Sequence, residues 1–319
     1  MLGPRLIGKS AAFQNVLKLI ERFSGFDVPV LIRGETGTGK ELAARAIHYM
    51  SHRSGAPFVP VNCGALPETL LENELFGSER GAFTDAHQRH DGLVVAAQSG
   101  TLFLDEVDAL PARAQVALLR FLQDQTYRPL GATRERTGNV RVVAAASQRL
   151  ERMVSEDGFR ADLAYRLDVL ALEMPPLRQR HGDACLLADH FAAYFAKRYK
   201  LACRAIEPIS LRWLEQHDWP GNVRELENLV HRQTLLCTDS ELVLRPVDHH
   251  DVGEVAEPET YNYHDCRRAV LERWERNYLR HLLRETHGNV TRAAQLAGKE
   301  RRALGKLLKK HGIDRTQFA

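Results

Sequence analysis

Residues 28–45, VPVLIRGETGTGKELAAR, constrain this chain more than any other stretch. Val28 to Ile32 is a short apolar, β-branched run of the kind that forms a buried strand. Gly34, Gly37 and Gly39 follow, with Glu35, Thr36 and Thr38 between them, and give a loop that bends sharply and exposes its backbone amides. From Lys40 onward Leu42, Ala43, Ala44, Ala46 and Ile47 have helical spacing. Strand, glycine loop, lysine and helix start together make a phosphate cradle, because the amides and the helix dipole both favour an anion. The P-loop pattern is met at Gly34, Gly39 and Lys40, with Glu41 in the Ser/Thr place. A glycine turn before a surface helix would have the same local pattern, so the remaining chain has to decide.

The deciding partner is residues 100–106, GTLFLDE. An apolar strand there delivers Asp105 and Glu106 at its C-terminal end, about 65 residues after Lys40. Acids at a strand exit also occur without catalysis. Beside a phosphate loop, however, the first acid can hold Mg²⁺, directly or through water, and the second can polarise an attacking water. With Asp105, the phosphates and waters around the metal, the missing hydroxyl at position 41 is tolerable. Residues 58–63 and 140–147 read as further strands, the first ending near Asn62 and the second at Ser147. Residues 111–127 read as an amphipathic helix and residues 183–240 as a helical stretch. Strands separated by helices imply an α/β parallel sheet with the ligand at the strands' C-terminal ends. Arg160 and Arg166 lie six apart in FRADLAYRL, suited either to a γ-phosphate charge or to surface ion pairs.

The 319 residues are 44% hydrophobic and 27% charged, without an 18-residue apolar run, which excludes a helical membrane protein and suggests more than one domain. The N-terminus has no apolar h-region, and the five cysteines lack C-x-x-C spacing; a cytoplasmic protein with reduced thiols is expected. The net charge of +3 is unevenly placed. Residues 264–319 hold 14 Lys/Arg and 6 Asp/Glu, a local +8, which leaves −5 on the preceding 263 residues. Residues 246–260 are polar and aperiodic, as a linker is. Beyond them comes a long apolar helical face (Val270, Leu271, Trp274, Tyr278, Leu279, Leu282, Leu283). Two short helices then meet through Gly298, a helix-turn-helix pattern that any trihelical bundle could share. Lys299, Arg301, Arg302, Lys306, Lys309 and Lys310 make its outer face basic and point to DNA.

Together these motifs resemble the AAA+ domain of bacterial enhancer-binding proteins, the activators of sigma-54 RNA polymerase. The fold class expected is an α/β P-loop AAA+ sheet over residues 1–177 and a helical lid over 178–245. A linker over 246–263 and a Fis-type helix-turn-helix domain over 264–319 complete it. The most specific element is Gly81, Ala82, Phe83, Thr84, Asp85 and Ala86, similar to the family's GAFTGA loop, which contacts sigma-54. Glu41 is a family habit too. The resemblance implies ATP and Mg²⁺ as cofactors, Gly34 to Glu41 as Walker A, and Asp105 with Glu106 as Walker B. Asn62 would restrain Glu106, Arg160 and Arg166 would be arginine fingers, and Arg224 the sensor arginine of the lid. Ile7 and Gly8 match the segment near the adenine.

Three departures stand out. Asp85 replaces the usual glycine, Ala146-Ser147 replaces the usual Thr-Asn of the first sensor, and the sequence opens at the ATPase domain, so control by a separate protein or by abundance is expected. The function expected is an ATP-hydrolysing activator that binds upstream DNA as a dimer, assembles a ring, taken as a hexamer, and remodels the sigma-54 holoenzyme. A repressor using the AAA+ fold as a scaffold is the alternative. A helicase or unfoldase is disfavoured by the GAFT-type loop and the basic tail.

Overall fold

The computed structural model describes residues 6–82, 88–147, 149–237, 241–244, 274–276, 278–279, 282–283, 286 and 288–313. The chain divides into two compact units, Met1–Arg245 and Pro246–Ala319.

The first unit is built on a five-stranded, wholly parallel sheet. Its strands are β1 (Val30–Arg33), β2 (Phe58–Asn62), β3 (Thr101–Asp105), β6 (Arg141–Ala146) and β7 (Leu170–Glu173) in the order β2-β3-β6-β1-β7. A two-residue hairpin, β4 (Thr126–Tyr127) with β5 (Arg136–Thr137), lies outside it. Parallel strands need crossovers, and these are helices that cover both faces. Leu31, Leu102, Leu104, Val142 and Ala144 turn to one core. Val30, Ile32, Phe103, Val143 and Ala145 alternate to the other.

The second face is closed by α1 (Ala11–Ser24) and α2 (Lys40–Tyr49). Phe13, Val16, Ile20 and Phe23 bury one stripe of α1, and Ala43, Ala44 and Ile47 bury one of α2. The first face is closed by α3 (Glu68–Phe76), α4 (Leu93–Ala96), α5 (Ala112–Asp124), α6 (Leu150–Ser155) and α7 (Ala161–Leu167). The helix expected over 111–127 stops at Asp124. Gln125 takes a left-handed φ of 55°, and Tyr127 turns inward on β4 to pack with Phe76 and Phe121. The apolar period thus runs on through a change of element.

The stretch expected to be helical over 183–240 is three helices, α8 (Asp183–Tyr199), α9 (Pro208–Gln216) and α10 (Asn222–Leu236), around a core with Trp219 at its centre. Lys200, in the left-handed region, ends α8, and Pro208 opens α9 at a position where its missing N–H is no loss. In the second unit the described positions from 274 to 283 are helical. α11 (Val290–Leu296) is capped by Asn289 and α12 (Arg301–Lys310) follows the turn at Gly298. Leu279, Leu282, Leu283, Ala293, Ala294, Leu304 and Leu308 form its core. Among the described residues no helix is long and apolar enough to cross a membrane.

One buried ion pair fastens the N-terminal segment to the three-helix subdomain. Asp183 and Arg180 are almost wholly buried and pair at 3.0 Å. The Asp183 carboxylate also accepts from Lys9 N, Ser10 N and Ser10 Oγ, while Arg180 donates to Ile7 O and lies over the Phe13 ring. Burial pushes the Asp183 pKa up, but the hydrogen bonds outweigh it and the net shift is downward. A depressed carboxyl pKa adds stability above its unfolded value, and that stability is lost as pH falls through the folded value. Asp183→Ala strands a buried guanidinium, so urea denaturation of the full chain is expected to show a loss of about 3–5 kcal/mol.

Candidate functional site

β1 ends at the glycine loop, where Gly34, Gly37 and Gly39 have φ of 149°, 80° and 95°, all in the region that favours glycine. Gly39 is also the N-cap of α2, so the first-turn amides of that helix face the loop. The Lys40 ammonium lies back over this loop, donating to Gly34 O at 2.8 Å and Glu35 O at 3.1 Å. Thr38, buried, donates from its hydroxyl to Glu35 O. Glu41 accepts from Arg45 one turn along α2. Burial lowers the Lys40 pKa, while Asp105, Asp108 and Glu106 act in the opposite direction and Arg224 lowers it further.

The register of the sheet sets Asn62 beside Asp105 at the ends of β2 and β3. Burial raises the Asp105 pKa, with the Lys40 charge opposing. Glu106 follows in a left-handed turn, φ 55°, an uncommon conformation for a Glu residue, and its N–H donates to Asp105 Oδ1. The Glu106 carboxylate sits over Gly64. A Cβ there would overlap its Oε2 and lie 3.4 Å from Asn62 Oδ1. Asn62 Oδ1 accepts from Gly64 N and Ala65 N at 2.8 and 3.0 Å, so it shapes the turn beneath Glu106. Ser147, after β6, donates from Oγ to Asp108 Oδ2 at 2.6 Å.

The helical subdomain reaches the same loop. Arg178 makes a two-pronged pair with the Glu35 carboxylate at 2.8 and 2.5 Å. Together with the Asn222 amide, this guanidinium holds the Glu35 carboxyl at a pKa of about 2. Val223 N donates to Gly37 O, and a Cβ on Gly37 would overlap the Gly221 carbonyl and approach Arg224 Cβ to 3.1 Å. Ile7 packs against the core of this subdomain, and Gly8 is enclosed by Phe13, Asp183 and Arg180. Arg224, Ile7 and Gly8 are among the residues named from the sequence; Arg178, Asp108, Asn222 and the Arg180–Asp183 pair are not. Arg178 and Asn222 meet Glu35 across 143 and 187 positions, and Asp183 meets Ser10 across 173, which no local pattern registers. The one available signal was the Trp-Pro-Gly-Asn turn, where Asn is one of the few residues that tolerate positive φ.

Arg160 and Arg166 stand apart from this cluster. Both are exposed at α7, Arg160 paired with Asp162 at 2.7 Å and Arg166 donating to Leu122 O. Among the described residues neither bonds to the glycine loop. Gly81 and Ala82 end a stem in which Glu79 N donates to Leu130 O and Leu130 N to Gly77 O. Phe83, Thr84, Asp85 and Ala86 lie outside the described residues. Lys299, Arg301, Arg302, Lys306, Lys309 and Lys310 are all exposed on or beside α12, with Lys310 paired to Glu275 at 3.2 Å.

The cluster is what a nucleoside triphosphate needs: amides and an ammonium for phosphates, a carboxylate for a cation, and a second carboxylate at a fixed height above them. Comparison with known proteins agrees. The Sigma-54 interaction domain family matches residues 6–173, and the AAA+ ATPase lid domain family matches residues 178–259. The transcriptional regulatory protein GlrR of Escherichia coli is 42% identical over 98% of this chain and 69% of its own length. The regulatory protein AtoC of the same species is 39% identical over 97% and 68%. The crystal structure of NtrX from Brucella abortus in complex with ATP has a TM-score of 0.71 at 36% identity, covering 97% of this chain and 69% of that one. Its complex with ADP is similar, with a TM-score of 0.71. The chain is therefore a member of the sigma-54 interaction family, an AAA+ ATPase of the ATP-dependent sigma-54 activators.

Proposed function

We propose that this ATPase activates transcription by coupling hydrolysis to remodelling of sigma-54 RNA polymerase at promoters whose upstream DNA it binds. The observation that carries the reading is the meeting of Lys40, Asp105, Glu106 and Arg224 around one glycine loop at the C-terminal edge of the sheet. The loop amides from Gly34 to Glu41 and the Lys40 ammonium hold the phosphates, and the adenine lies near Ile7 and Gly8. Mg²⁺ fits here: Asp105 is a half-buried carboxylate beside the loop, and Mg²⁺ is typically held by one or two carboxylates plus substrate phosphates. When bound, the metal neutralises charge on the transferring phosphoryl group. Glu106 orients and deprotonates water, and Asn62 fixes the turn on which its carboxylate rests. Ser147 and Arg224 read the nucleotide from sheet and lid.

Arg160 and Arg166, exposed and bonded away from their own loop, serve a neighbour's nucleotide, which requires a ring, proposed as a hexamer. Residues 81–86 contact sigma-54. Residues 264–319 form the DNA-binding domain, bound as a dimer, with Lys299, Arg301, Arg302, Lys306, Lys309 and Lys310 on the phosphates and bases. The six copies of Asp85 in such a ring bring negative charge near that contact, and Asp is among the few residues besides glycine that tolerate a tight loop.

In a purified system, ATP-dependent opening of a sigma-54 promoter is the direct test. Thr84→Ala is expected to abolish opening and spare ATPase, and Asp85→Gly to leave opening intact or improved. ATP hydrolysis without promoter opening, restored by Asp85→Gly, would transfer the chain to the repressor reading. Mixing Arg166→Ala with Glu106→Gln subunits is expected to recover part of the ATPase rate. A single lost finger removes on the order of 10³-fold, and recovery needs action across subunits. A co-assembled mixture as inactive as either parent would place the arginines in cis. Gly64→Ala pushes the Glu106 carboxylate off its seat, so kcat is expected to fall on the order of 10²-fold while nucleotide affinity in titration calorimetry holds. Glu106→Gln should match it.

A further inference from the structure

Asn222 carries more contacts than a helix-initiating residue needs. Its side chain is completely buried, and its φ of 53° lies in the left-handed region. The side-chain oxygen accepts from Leu177 N at 2.8 Å, where the chain passes from sheet to lid. The amide nitrogen donates to two places on the glycine loop, Glu35 Oε2 at 3.1 Å and Thr36 O at 3.0 Å. Acceptor and donor are both used, and among isosteric side chains only an amide supplies both. The next residue, Val223, donates its N–H to Gly37 O, and the one after is Arg224, whose charge is felt at Lys40. Three consecutive residues thus hold hinge, loop and lid arginine in one register.

We propose that Asn222 is a positioning residue that locks the phosphate loop to the lid, so that Arg224 reaches the nucleotide only when the loop has its binding shape. The inference rests on the reading of Arg224 as the lid's phosphate-facing arginine. Through it, loop geometry and lid position become one variable: a loop distorted at Glu35 or Thr36 withdraws the acceptors that hold the start of α10.

A double-mutant cycle on the full chain tests this, with ATP affinity read by titration calorimetry. Asn222→Gly keeps the left-handed backbone at no steric cost and removes only the side chain. Asn222→Asp keeps size and the acceptor for Leu177 N but sets a carboxylate against Glu35. Either variant is expected to weaken ATP binding on the order of tenfold, and so is Arg224→Ala, the scale of a lost hydrogen bond to a charged group. Combined with Arg224→Ala, the Asn222 change is expected to add little, because its effect passes through Arg224. Full additivity would reduce Asn222 to a purely structural role and overturn the proposal, as would unaltered affinity in both Asn222 variants. Unaltered affinity in Arg224→Ala would instead sink the assignment of Arg224. Circular dichroism of each variant separates misfolding from the effect sought.

Discussion

A parallel sheet covered on both faces leaves chemistry only one exit. Side chains inside β1, β3 and β6 alternate between two apolar cores, and no strand interior can hold an ionised group without a partner. Polar residues therefore appear where the strands stop. Asn62, Asp105 and Ser147 all follow or end strands at one edge, and the glycine loop and N-terminus of α2 open on the same side. At the opposite edge, buried arginines serve a structural purpose. Arg141 donates to the last carbonyls of α1, and Arg53 binds Asp27, Gly100 O and Asn139. The two ends of the sheet are chemically distinct: at one, Arg53 and Arg141 bind protein groups, and at the other Lys40 donates to carbonyls of its own loop.

That difference sets the electrostatics of the site. Burial disfavours the charge on both Lys40 and Asp105, and each moderates the other's penalty. A polyphosphate relieves Lys40 and at the same time crowds Asp105 with negative charge. A divalent cation at Asp105, as proposed above, would offset that crowding. Glu35 stays outside this competition, since Arg178 and Asn222 hold it ionised and turned toward the lid. The loop thus keeps its carboxylate on the lid side and its ammonium on the strand side.

The sheet, the glycine loop and the acidic strand end were legible because each is local: a run of β-branched residues, three glycines in six positions, two acids after an apolar strand. Their pairing over about 65 residues gave the ATPase reading. The start of β4 was not legible, because Tyr127 extends the apolar rhythm of α5 while its backbone turns over at Gln125. Nor was the lid's grip on the loop. Arg178 and Asn222 look like ordinary members of a polar turn until the fold brings Glu35 to them, and a buried network assembled from distant segments has no periodicity to detect. Asn62 differs again. Its place at the strand end was legible, but its hydrogen bonds go to the backbone of its own turn.

The stem below residues 83–87 has a mechanical consequence. Ser78 exchanges backbone hydrogen bonds with His90, Leu130 bonds to Gly77 and Glu79, and Arg136 pairs with both Glu79 and Asp91. Gly131 packs so closely on Ala82 that a single added carbon would lie 2.8 Å from its Cβ. Residues 77–82 and 90–91 are therefore cross-braced to residues 130–136 beside α3 and α5. α5, which also packs against α7, thus connects to Ala82 through a continuous run of hydrogen bonds and close contacts.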